Sequence, residues 1–141
     1  MEAVFLTQSL KRGVNMNIDK VYKASRKDQA IELLDKYKGY SKIIAGGTDI
    51  IISMRNKRID PKVLIDISHI DELREINKEG NRIEIGSCVS FSQIVESDLF
   101  KDNLYGLNKS SREVGSPQIR NKGTIGGNIA NGSSAADIAP P

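Results

Sequence analysis

The chain has 141 residues, of which 38% are hydrophobic and 28% charged, enough for one modest domain or a piece of a larger one. Its 21 basic and 18 acidic residues are interspersed and it has no Trp, so it lacks the basic, aromatic footprint of a nucleic-acid binder. One cysteine, Cys88, and one histidine, His69, exclude an internal disulfide and a Cys/His metal cluster within the chain.

Residues 1–16 read as a disordered or mis-assigned N-terminal tail, with Met16 opening a more ordinary start. Their charges follow the apolar part, the reverse of a secretory signal. No stretch approaches the roughly 20 apolar residues of a membrane helix, and the expected compartment is cytoplasmic. Ser25 and Asp28 suggest a capping box. Ala30, Ile31, Leu34 and Tyr37 then recur at helical spacing, which predicts an amphipathic helix over Lys27–Lys38 that stops at Gly39. Lys42–Ala45 reads as a short buried strand. Gly46-Gly47 makes a turn, Thr48 is placed to cap a helix over Asp49–Asn56, and Lys62–Asp66 is a second strand. Helix, strand, glycine turn, helix and strand make a compact α/β unit.

Glu75–Gly86 alternates around Gly80-Asn81 and predicts a hairpin. Ser90 and Gln93 form a second capping-box pattern. Leu104, Leu107, Ser111 and Val114 suggest another helix, and Ser116-Pro117 an N-cap followed by Pro at the first helical position. The predicted organisation is an N-terminal α/β subdomain over 17–71 and a second, mainly β subdomain that begins at 72 and is incomplete at 141. The last twenty residues are rich in Gly, Asn and Ser and end at Pro140-Pro141 without a hydrophobic segment to close the fold.

Two glycine segments carry the chemistry. Ala45-Gly46-Gly47-Thr48-Asp49 lies between a strand and a helix start, where glycines allow a sharp turn and unpaired N–H groups can hold a phosphate. The same residues would also serve a plain tight connection. Gly123-Thr124-Ile125-Gly126-Gly127-Asn128 lacks both the dinucleotide G-x-G-x-x-G spacing and the Lys-Ser/Thr of a P-loop. Alone it is equally consistent with a β-bulge or strand bend. Two such segments in one short chain suggest a shared diphosphate, with Thr124 and Asn128 adding side-chain hydrogen bonds.

Other polar residues are structural on this reading. His69 has no G-x-S-x-G partner motif and is expected on the surface or in a turn. Cys88 is expected as a small buried hydrophobe. Asp71-Glu72 suits a helix start, and Arg55, Lys57 and Arg58 suit a solvated helix end.

The stretches IIAGGTDIIISMR (Ile43–Arg55) and GSPQIRNKGTIGGNIANGSSAADIAPP (Gly115–Pro141) together resemble the paired signature of the flavin subunits of xanthine dehydrogenase, carbon monoxide dehydrogenase and related molybdenum hydroxylases. The similarity runs from Met16 to Pro141. It implies an α+β, two-subdomain FAD-binding fold of the vanillyl-alcohol-oxidase/xanthine-dehydrogenase flavoprotein type, truncated here. It also implies that FAD lies between the two segments. The first would contribute Ile44, Ala45, Gly46, Gly47, Thr48, Asp49 and Ile50, and the second Thr124, Gly126, Gly127 and Asn128. Asp137 would lie by the ribityl and ring side, and Val114 at a position near the flavin. The implied role is to take electrons from iron–sulfur clusters and pass them through FAD to NAD or another acceptor. Molybdopterin and the 2Fe-2S clusters would sit in partner subunits, with a further chain supplying the missing C-terminal half. Two alternatives are a flavin-less assembly fragment and a molybdenum-independent flavin oxidoreductase of the same fold.

Overall fold

A computed structural model describes residues 16–132. The expected tail over 1–15 and the segment after Gly132, including Asp137, lie outside the described residues. The chain divides into two compact units, one ending at Asp71 and the other beginning at Glu72.

The first unit is a three-stranded parallel sheet: β1 (Lys20–Lys23), β2 (Ser41–Ile44) and β3 (Val63–Asp66), in the order β1-β3-β2. Helix α1 (Lys27–Lys36) joins β1 to β2, and α2 (Ile50–Arg55) joins β2 to β3. Parallel neighbours need such crossovers, because a tight turn would reverse the chain. The central strand Val-Leu-Ile is buried at every position, as a parallel strand covered on both faces must be. Leu64 packs with Met16, Ile18, Val21 and Met54, and Ile44, Ile50, Ile51 and Ile59 close around them. Each large apolar side chain so buried contributes roughly 1.5–3 kcal/mol.

Three expectations change in this unit. Strand β1 was not anticipated: KVYK is four residues long, with adjacent rather than alternating apolar positions. Strand β2 is an edge strand of the described sheet and not a buried one: Lys42 and Ile43, on its two opposite faces, are both exposed. The Ser25–Asp28 capping box does not form. Arg26 occupies the cap position, its guanidinium takes Asp28, and Ser25 turns instead to Gln29.

A 3₁₀ turn (Asp71–Leu73) spans the boundary, and the second unit continues with the antiparallel hairpin β4 (Ile76–Glu79) and β5 (Arg82–Ile85), paired from Ile76↔Ile85 to Glu79↔Arg82. Five helices follow: α3 (Phe91–Glu96), α4 (Asp98–Asn103), α5 (Tyr105–Glu113), α6 (Pro117–Lys122) and α7 (Ile125–Asn131). Val89, Phe91, Ile94, Phe100, Val114 and Ile125 form its core, with Ile76, Ile83 and Ile85 of the hairpin packed on them. The buried amide of Asn108 donates to the carbonyls of Ile94 and Val95, tying α5 to the end of α3. The capping box at Ser90 is complete, and Ser116 caps α6 with Pro117 behind it.

Helices outnumber strands among the described residues of this unit, where a mainly β subdomain was expected. Only residues 76–85 alternate well enough to pair as strands. Ser90, Ser97, Ser116 and Thr124 each precede a short helix, and Ser and Thr at such positions favour helix starts. No helix among the described residues is long and apolar enough to cross a membrane.

Candidate functional site

The carboxyl ends of all three parallel strands meet level with Asp66, which is in register with Lys23 on one side and Ile44 on the other. In open parallel sheets, ligands bind outside this end. The first glycine segment leaves β2 here. Gly47 has φ +78°, and a Cβ added to it would lie 3.1 Å from Ile51 and 3.3 Å from Ile44. An L side chain would meet both an unfavourable backbone and the neighbouring isoleucines, so this glycine is required by the turn itself.

Thr48 does not cap α2. Asp49 is the cap residue, already has helical dihedrals and makes no side-chain cap bond, and the Thr48 hydroxyl donates to the Asp49 carboxylate at 3.2 Å. The consequence is an uncapped turn. Ile44 O accepts from Ile67 N, Gly47 O from Ile51 N and Asp49 O from Ser53 N. Among the described residues, however, no group accepts a hydrogen bond from the backbone N–H of Gly46, Gly47, Thr48 or Asp49. Four consecutive unpartnered donors, half-buried apart from exposed Asp49, suit an oxyanion such as a phosphate.

The second segment is built differently. It is neither a loop nor a strand bend but the N-terminus of α7, with Thr124 as N-cap accepting from Gly127 N at 3.1 Å. Several of its backbone donors are engaged within the chain: Ile125 N to Val89 O, Gly126 N to Ser87 O and Asn128 N to Thr124 O. A Cβ on Gly126 would lie 2.6 Å from the Ser87 carbonyl oxygen, so Gly126 is a packing glycine. Asn128 keeps one unusual feature, a buried Oδ1 with no hydrogen-bond partner among the described residues. The two segments thus lie in different units, the first with free backbone donors and the second with an orphaned side-chain acceptor.

The remaining candidates fall into place. Val114 is buried in the second core, and its carbonyl accepts from Arg120. His69 is an exposed turn residue 4.0 Å from the Asp66 carboxylate, whose other oxygen accepts from Ser68. Cys88 is buried. Arg55, Lys57 and Arg58 are exposed at the end of α2. No group of three metal-ligating side chains occurs among the described residues.

Comparison with solved structures sets the class. The fold matches a chain of carbon monoxide dehydrogenase from Hydrogenophaga pseudoflava, in a form lacking the Mo-pyranopterin moiety of the molybdenum cofactor. The TM-score is 0.78 at 33% identity, over 80% of this chain and 39% of that one. A cyanide-inactivated Cu,Mo-CO dehydrogenase matches with a TM-score of 0.79 at 32% identity, over 82% and 40%. The α+β flavoprotein fold expected from the sequence is therefore the fold of the molecule. Among sequences, the nicotinate dehydrogenase FAD-subunit of Eubacterium barkeri is 43% identical over 111 residues, 78% of this chain and 38% of that protein. The xanthine dehydrogenase FAD-binding subunit of Escherichia coli O157:H7 is 37% identical over 102 residues, 72% and 35%. The chain belongs to the family described as the FAD binding domain in molybdopterin dehydrogenase, whose model matches residues 14–141. It spans less than two fifths of the length of these two sequence relatives.

Proposed function

We propose that this chain binds FAD as part of the electron-transfer subunit of a molybdenum hydroxylase of the xanthine dehydrogenase type. The observation that carries the reading is the run of free backbone N–H groups from Gly46 to Asp49 at the carboxyl end of the sheet. The orphaned Oδ1 of Asn128 fits the same cofactor, since a dinucleotide supplies hydroxyl donors beside its phosphates. On this reading Ile44, Ala45, Gly46, Gly47, Thr48, Asp49 and Ile50 contact FAD, as do Thr124, Gly126, Gly127, Asn128 and Asp137.

The backbone donors fix the diphosphate without a charged side chain, Gly47 lets the main chain approach it, and Ile44 and Ile51 pack beneath the turn. Bound FAD would supply the redox chemistry; the protein binds and orients it. In the assembled enzyme, electrons would come from 2Fe-2S clusters in one partner subunit, after substrate oxidation in a molybdopterin subunit, and leave to NAD or another acceptor. The lone buried thiol, Cys88, suits the reducing cytoplasm in which such a complex would work.

The test is direct. Purified chain mixed with FAD and then desalted is expected to keep the flavin's visible absorption band, and Gly47→Val and Gly127→Val are each expected to lose it. A wild-type chain that emerges colourless, with FAD fluorescence unquenched before desalting, would refute flavin binding by this chain alone.

A further inference from the structure

At the N-terminus of α7 the N–H groups of Ile125, Gly126, Gly127 and Asn128 are engaged within the fold, and an unpartnered hydroxyl stands beside them. Residues 87–91 run beside 123–126 as a short hydrogen-bonded ribbon. Phe91 N donates to Gly123 O at 3.2 Å, Ile125 N to Val89 O at 3.0 Å and Gly126 N to Ser87 O at 2.9 Å, with Ser90 bridging Thr124. Cys88 and Val89 are buried, whereas Ser87 is exposed. Its Cβ lies against the backbone of Gly126, only 2.5 Å from where a Cβ on that residue would be. Gly126 thus admits the Ser87 side chain to the start of the helix, and any larger residue at 126 would displace it. Among the described residues the Ser87 hydroxyl has no hydrogen-bond partner, in contrast to the hydroxyl of Thr124, which is engaged by Gly127.

We propose that the Ser87 hydroxyl is a further FAD contact beside Gly126 and Thr124, donating to a phosphate oxygen of the dinucleotide. The inference rests on the flavin reading above. Within the second unit, the contribution comes from side-chain hydroxyl and amide groups mounted on a packed scaffold, because the N–H groups of Ile125, Gly126, Gly127 and Asn128 are already engaged. Ser87 lies well outside either glycine motif, so it is reached only through its contact with Gly126.

The experiment is FAD titration of the full chain, wild type and Ser87→Ala, followed by fluorescence quenching, with the melting temperature of each apo form measured alongside. Removing a hydroxyl that donates to a charged oxygen is expected to raise the Kd for FAD about tenfold or more. The apo melting temperature should be unchanged, because Ser87 is exposed and its hydroxyl bonds nothing in the described fold. Equal FAD affinity in the two proteins overturns the role of Ser87 and leaves the flavin reading standing. A wild-type chain that binds no FAD overturns both. A fall in apo melting temperature that accounts for the whole loss of affinity assigns Ser87 to the scaffold instead and also overturns the proposal.

Discussion

Ser111 is wholly buried in α5, and among the described residues its hydroxyl has no partner. An unmade hydrogen bond of this kind costs about 1–3 kcal/mol relative to an apolar group of the same shape. Ser111→Ala is therefore expected to leave stability unchanged or raise it by about 1 kcal/mol, read from the urea midpoint. A clear loss would mean that the hydroxyl is bonded after all. Lys57 is the other local misfit, with φ 53°. It follows the end of α2, where Lys57 N donates to Met54 O and Arg58 N to Ser53 O, the double bond of a Schellman helix stop. Glycine normally fills that place, so Lys57→Gly is expected to gain about 1 kcal/mol in the same denaturation experiment. The run Arg55 to Arg58 showed itself in the sequence as charge only. Its backbone conformation could not be read there, because no glycine or asparagine at position 57 signals the left-handed turn.

At the level of elements, two similar cap patterns met different fates. Ser90 and Gln93 close a full capping box on α3, and Ser90→Ala is expected to cost about 1 kcal/mol of stability. The Ser25–Asp28 pattern fails because Asp is one methylene shorter than Glu and Arg26 competes for it. The hydrogen bond from Arg26, and next the one from Gln29 N, holds the Asp28 carboxyl below its ordinary range. A folded-state value lowered in this way contributes stability above the unfolded carboxyl's range, and the contribution disappears as pH falls through the folded value. Asp28→Asn should therefore narrow the difference in melting temperature between neutral and acid pH, by a small amount since both partners are exposed. The start of α7 is more demanding. Gly126→Ala would push a methyl group into the Ser87 backbone, at an expected cost of about 1–3 kcal/mol, seen as a lower melting temperature in the absence of any flavin.

For the whole molecule, flavin binding and folding are linked. If the chain binds FAD as proposed, a concentration one hundred times the Kd should stabilise it by about 2.7 kcal/mol, and thermal scans at rising FAD should shift upward accordingly. The sequence by itself determined the α+β class, the hairpin at Gly80-Asn81, the caps at Ser90 and Ser116 and the family, because each depends on residues close together in the chain. It also located both glycine segments. Only the tertiary structure decided what those segments do. Strand β2 stands at the edge of the described sheet with Lys42 and Ile43 exposed on its two faces, and its turn keeps free N–H groups because Thr48 bonds Asp49 and caps nothing. The second segment became a helix start because Ser87 and Val89, more than thirty residues earlier, accept its N–H groups. Whether a backbone donor is free or engaged depends on which distant carbonyl faces it, and a linear pattern holds no record of that pairing.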